Sequence, residues 1–182
     1  MKKNNLWIFK IILITFVLAI FMSVIADLAL RKTSIVFASI LLFIIIFIGV
    51  FFDTIGISVA AARIEPFNSM AAQKKKAAKH SIYLIKNASM VANFCNDVVG
   101  DIAGIVSGAA GAIIIMKIMA YNLPFIDKSI ITVLLTATIA SLTVGGKAVG
   151  KIIGMHHSQF VVEKAGKLIY YIDVIFKLNI TE

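Results

Sequence analysis

Four long, nearly uninterrupted apolar stretches occupy residues 11–30, 35–61, 98–121 and 130–153 of this 182-residue chain. Each supplies the ~20 apolar residues that an α-helix needs to cross the hydrocarbon of a bilayer. The runs are continuous instead of alternating, and lipid cannot satisfy free backbone groups, so helices are the spanning elements this pattern permits. A hydrophobic fraction of 60% with only two prolines would leave a water-soluble domain of this length too little polar surface to cover itself. The expected fold class is all-α: one polytopic integral membrane domain over residues 1–182, with about four transmembrane helices.

A net charge of +9 could suggest nucleic acid, but its distribution reads as topology. With the N-terminus inside, the cytoplasmic side holds Lys2, Lys3, Lys10, Arg63, Lys74, Lys75, Lys76, Lys79, Lys86, Lys151, Lys164, Lys167 and Lys177, whereas the outer loops hold only Arg31, Lys32 and Lys128. Thirteen against three follows the positive-inside rule. The expectation is a multi-pass protein of the plasma (cytoplasmic) membrane with both termini cytoplasmic, a basic loop touching anionic headgroups, and no nucleic-acid partner. A signal-peptide reading of the first stretch competes, since Lys2 and Lys3 precede an apolar run ending near Ala26 and Ala29. The run is long for that purpose, and Asp27 and Leu28 make a poor cleavage context. Cys95 is the only cysteine, so neither an intramolecular disulfide nor a cysteine-based zinc site is available.

Between the second and third spans, Pro66 precedes a helix-like segment over residues 70–94. Ala71, Ala78, Ile82 and Ile85 fall on one face and Gln73, Lys76, His80 and Asn87 on the other, as expected of a helix lying in the membrane interface. Over residues 160–178, Val161, Ala165, Leu168, Ile172 and Ile175 repeat at helical spacing and predict a second amphipathic helix along the membrane. No soluble nucleotide-sensing domain is expected after it. Spans three and four each carry a seam of small residues. Asp97, Asp101, Gly104, Gly108 and Gly111 share one face, and Gly100, Gly104 and Gly108 recur every fourth residue. Thr136, Ala140, Thr143, Lys147, Gly150 and Gly154 do the same, with Gly146, Gly150 and Gly154 at the same interval. Small residues so spaced let transmembrane helices approach closely, and the two helices are expected to pack antiparallel along these seams.

The topology puts Asp97, Asp101 and Lys147 in the cytoplasmic half of the bilayer. Asp53 joins them, eight residues before Ala61 and so about 12 Å deep. Ionisable groups in a transmembrane helix cost roughly 2.5 to 3.5 kcal/mol each on insertion scales and usually face a partner or a wet cavity. One reading is a cation pathway, with oxygen ligands from Asp53, Asn96 and Asp97 suited to a hard ion such as Mg²⁺ or Na⁺. The other is a structural ion pair, in which Lys147 neutralises Asp101 or Asp97. Lys117, near the outer end of its span, is expected to snorkel.

Other signals carry less. Residues 145–152 (GGKAVGKI) approach a phosphate-binding loop, but Ile152 replaces the metal-binding hydroxyl and no strand precedes it, so no nucleotide is expected. His156 and His157 point apart on a helix and suit an interface better than a metal. The sequon of Asn87 and Ser89 falls on the predicted cytoplasmic side. Cys95 and His80 offer no nucleophile arrangement, and the chain is not expected to be an enzyme.

The order of parts resembles the transmembrane domain of the cyclin-M (CNNM)/CorC magnesium-transport family over about residues 43–170. That family has a first helix with a small polar motif, a cytoplasmic belt, a helix opening with Gly-Asn-Asn and a helix with Gly-Glu-x-x-Pro-Lys. Here residues 52–58 (FDTIGIS), the segment 70–94, residues 95–97 (CND) and residues 146–151 (GKAVGK) stand at those places. The resemblance implies handling of a divalent cation of the Mg²⁺ type, or of Na⁺, and a homodimer. It casts Asp53, Asn96 and Asp97 as ligands, Asp101 as support and Lys147 as a resident counter-charge. The departures are that Lys147 replaces the family's Glu and Gly150 its Pro, that the family's CBS domains lack a counterpart, and that an extra first span is present. They leave a rewired ion site beside a second expectation: a non-transporting structural or regulatory subunit that pairs with another membrane protein.

Overall fold

A computed structural model describes residues 2–31, 33–120 and 128–176. The described residues are mostly helical, without strands. The helices are α1 (Lys2–Arg31), α2 (Ile35–Ala61), α3 (Glu65–Ala72), α4 (Ala78–Lys86), α5 (Ala88–Asn93), a π-helical segment (Phe94–Gly100), α6 (Asp101–Met119), α7 (Lys128–His156) and α8 (Ser158–Phe176). Four helical stretches are long and apolar enough to cross a membrane: Ile12–Leu30, Ile35–Ala61, Ala88–Met119 and Lys128–His156. Three of them match the apolar runs to within three residues; the third begins at Ala88, ten residues earlier than expected, and residue 121, its expected end, lies outside the described residues.

Contacts group the chain into two compact units, one from Met1–Gly49 and Gly100–Gly146, the other from Val50–Val99 and Lys147–Glu182. In the first, α6 packs along α1. Ile102, Ala103, Val106, Ala110 and Ile114 form its buried stripe at helical spacing. Gly49 of α2 admits α6 closely, since a Cβ there would sit 2.8 Å from that of Ala103. Thr33 closes the end of α1 through its hydroxyl, 3.0 Å from the Leu30 carbonyl, and the Ser34 hydroxyl accepts the Phe37 N–H at the start of α2. Lys117 does not simply snorkel. Its ammonium donates to the carbonyls of Leu30 and Thr33, capping the negative end of α1.

The expected closure of the two small-residue seams is not what the structure has. Gly111 meets Ile139 of α7, but nothing lies within 4 Å of where a Cβ would stand on Gly104 or Gly108. Those glycines face Thr136, Ala140 and Thr143 across an open, largely apolar groove of about 600 Å³. The far end of the α7 seam serves a different helix. In the second unit, a Cβ on Gly154 would approach the Thr54 carbonyl to 2.9 Å, and one on Gly150 would approach the Val50 carbonyl to 3.3 Å, so both glycines lie against α2. Periodicity marks which faces can come close, but not which helix comes.

The second unit is built on Val59, Phe67, Leu84, Val162 and Ala165, which join α2, α3, α4 and α8 in one core. The single helix expected over residues 70–94 is broken. Pro66 starts α3 early, where its missing N–H costs nothing. The helix then ends in a left-handed residue, Lys74 at φ 58°. Lys74 N–H donates to the Ala71 carbonyl at 2.9 Å and Lys75 N–H to that of Met70 at 3.1 Å, the pairing of a Schellman cap. Beyond it α4 packs on α8, with Gly166 fitted against Ser81 and the Ser81 hydroxyl donating to the Val162 carbonyl. His80, expected on the polar face, is buried instead, its Nε2 2.8 Å from a carboxylate oxygen of Asp173. On α8 the buried stripe is Val162, Ala165 and Gly166, while Leu168, Ile172 and Ile175 are exposed.

Candidate functional site

Inside a bilayer every polar side chain needs a partner, and most hydroxyls here find one in their own helix. Thr54 donates to the Val50 carbonyl at 2.7 Å, Ser58 to that of Thr54 at 2.6 Å, Ser107 to that of Gly104 at 2.8 Å and Thr143 to that of Ile139 at 2.8 Å. Two side-chain oxygens in the candidate spans break this rule. Asp53 Oδ2 and Asn96 Oδ1 are buried and have no hydrogen-bond partner among the described residues.

Both belong to the second unit: Asp53 lies on α2, and Asn96 lies against Gly56 of the same helix. Asp53 is only 3% exposed. Gly56, one turn further along the same helix face, admits the Asn96 side chain. A Cβ there would overlap Asn96 Oδ1 and stand 2.8 Å from its Cγ and 3.1 Å from Cys95 Cβ. Any larger residue at position 56 would push Asn96 away. Asn96 itself rides on the π-helical segment, which lets the helix widen between α5 and α6. Such widened turns are rare and concentrate at functional sites.

The remaining predicted residues are placed differently. Asp97 is exposed, because neighbouring residues on a helix point in different directions and Asn96 takes the inward one. Asp101 is exposed at the start of α6, and Lys147 is half-buried in α7. Among the described residues, no three His, Cys, Asp or Glu side chains converge on one point. His156 and His157 are exposed, with His156 Nδ1 2.9 Å from the Ile152 carbonyl of its own helix.

Chemically, the pair presents one carboxylate oxygen and one amide oxygen in a dry setting. Leaving them unmatched costs several kcal/mol, which a cation or an ordered water recovers. Both atoms are hard donors suited to Mg²⁺, Ca²⁺ or Na⁺ and unsuited to a thiophilic metal. Mg²⁺ in particular binds through one or two protein oxygens while keeping several waters.

Sequence reasoning named Asp53 and Asn96 but not Gly56, whose role depends on a partner forty residues away. It also missed Asp173, although a lone acid on an apolar repeat was a visible signal. Compared with models of known protein families, with characterised proteins and with solved structures, the chain matches none.

Proposed function

We propose that the protein is a membrane-embedded cation-handling module of the CNNM/CorC type, without enzymatic activity, whose primary ligands are Asp53 and Asn96. The observation that carries this reading is the pair of buried oxygens without partners, set against Gly56 where the third span widens into a π-helix. Water completes the coordination of a Mg²⁺-type ion. Asp97, exposed on the same unit, acts as an outer acid that attracts the ion, and Lys147 is the counter-charge when the site is empty. Multi-pass insertion in the plasma membrane with both termini cytoplasmic, and pairing into a homodimer, belong to the same reading.

The test is ion-dependent thermal stability of the detergent-purified protein across Mg²⁺, Mn²⁺, Co²⁺, Ca²⁺ and Na⁺. A ligand at a hundred times its Kd stabilises the folded state by about 2.7 kcal/mol. One ion raises the Tm of the wild type, Asp53→Asn abolishes the shift, and Asp97→Asn retains most of it. If no ion shifts the wild type and Asp53→Asn raises Tm unaided, the oxygens are a structural imperfection. That outcome would favour the second reading, a non-transporting subunit that pairs with another membrane protein.

A further inference from the structure

We infer that a pocket on the second unit, between α8 and the turn joining α3 to α4, binds the phosphate group of an anionic membrane lipid. The pocket has a volume of about 300 Å³, and Lys75, Lys76, Lys167, Glu163, Tyr170 and Tyr171 line it. Three ammonium groups against one carboxylate leave it cationic. Lysine ammoniums are point-charge partners for phosphate, and phenolic hydroxyls add neutral donors.

Two features make this a built surface instead of a loose basic run. The Schellman cap at Lys74 fixes the turn, and the Ala78 N–H donates to the Lys75 carbonyl at 3.0 Å, so Lys75 and Lys76 are presented from a hydrogen-bonded backbone. On the opposite wall, Glu163 accepts from Lys167 Nζ at 2.6 Å and holds it in place. That hydrogen bond keeps the Glu163 carboxyl below the usual carboxylate range, and Lys164 and Lys75 add to the effect through their charge. Lys167 therefore stays at the pocket, and Glu163 limits how much negative charge it accepts.

Continuity with an apolar surface singles out a lipid over a free anion. Tyr171 lines the pocket yet is 62% exposed, and it adjoins the exposed stripe of Leu168, Ile172 and Ile175 along α8. A phosphate seated among the lysines would have its acyl chains beside that stripe, the arrangement of an interfacial amphipathic helix. The site does not depend on the buried oxygens of Asp53 and Asn96.

The experiment titrates the full-length, detergent-purified protein with phosphatidylglycerol, phosphatidylcholine or inorganic phosphate, and reads the bound fraction by native mass spectrometry. Each lysine near an anionic headgroup contributes about 1 kcal/mol, or about 5-fold in affinity. Lys75→Gln with Lys76→Gln weakens phosphatidylglycerol binding about 25-fold. Lys79→Gln with Lys86→Gln, which removes the same charge from exposed positions outside the pocket, changes it less than about 3-fold. Glu163→Gln strengthens it about 5-fold. Equal losses in the two double variants, or no gain from Glu163→Gln, would overturn the pocket. Inorganic phosphate binding as tightly as the lipid, or phosphatidylcholine binding as tightly as phosphatidylglycerol, would overturn the assignment of an anionic lipid.

Discussion

Lys74 shows how one residue can set the shape of a whole segment. At φ 58° it occupies a conformation in which an L side chain crowds the following carbonyl, at a cost of roughly 1–2 kcal/mol. Glycine avoids that cost. Lys74→Gly is accordingly expected to raise stability by about 1 kcal/mol in chemical unfolding while leaving the turn intact; a loss of stability would mean that the left-handed cap is not the native turn. Asp53 and Asn96 are a different case, since their cost is electrostatic and a bound cation can recover it. At this scale the candidate site was half legible. A charge inside an apolar run is conspicuous in any sequence, so Asp53 stood out. The burial of the Asn96 Oδ1 depends on the missing side chain of Gly56, and the setting of the buried His80 depends on Asp173, ninety-three positions away. No local pattern reports such pairings.

At the scale of elements, the glycines divide into two sets that the spacing alone could not separate. Gly150 and Gly154 lie against the α2 backbone, whereas Gly104 and Gly108 border open space. Gly154→Ala must push against the Thr54 carbonyl and is expected to cost about 1–3 kcal/mol. Gly104→Ala and Gly108→Ala are expected to be neutral, or to stabilise by up to about 1 kcal/mol through helix propensity. Unfolding in mixed detergent micelles separates the two outcomes, and equal losses at all the sites would mean that the groove between α6 and α7 is closed. Three of the spans were legible to within three residues at each end, because length and hydropathy decide them, whereas the third begins ten residues before its apolar run. The segment 70–94 was not legible, because a helix that ends at a lysine cap carries none of the usual glycine or asparagine signal. The π-helical segment has no compositional mark at all.

For the whole molecule, the basic residues offer the most direct handle on orientation in the bilayer. In a Cys95→Ser background, single cysteines at Lys79 and Lys164 are expected to resist a membrane-impermeant maleimide in intact cells, while one at Lys128 is labelled. The inverse pattern would reverse the topology expected from the thirteen and three charges, and with it the side of the membrane proposed for the pocket beside α8. The fastening of α1 to α6 bears on continuity of a different sort. Only Lys32, Thr33 and Ser34 separate α1 from α2, and Lys117 grips one carbonyl near the end of α1, at Leu30, and one within the link, at Thr33. A protease that cut this short link would therefore leave the first helix in place, held by one ammonium group and the packing stripe of α6, and a nicked protein would still travel as a single particle.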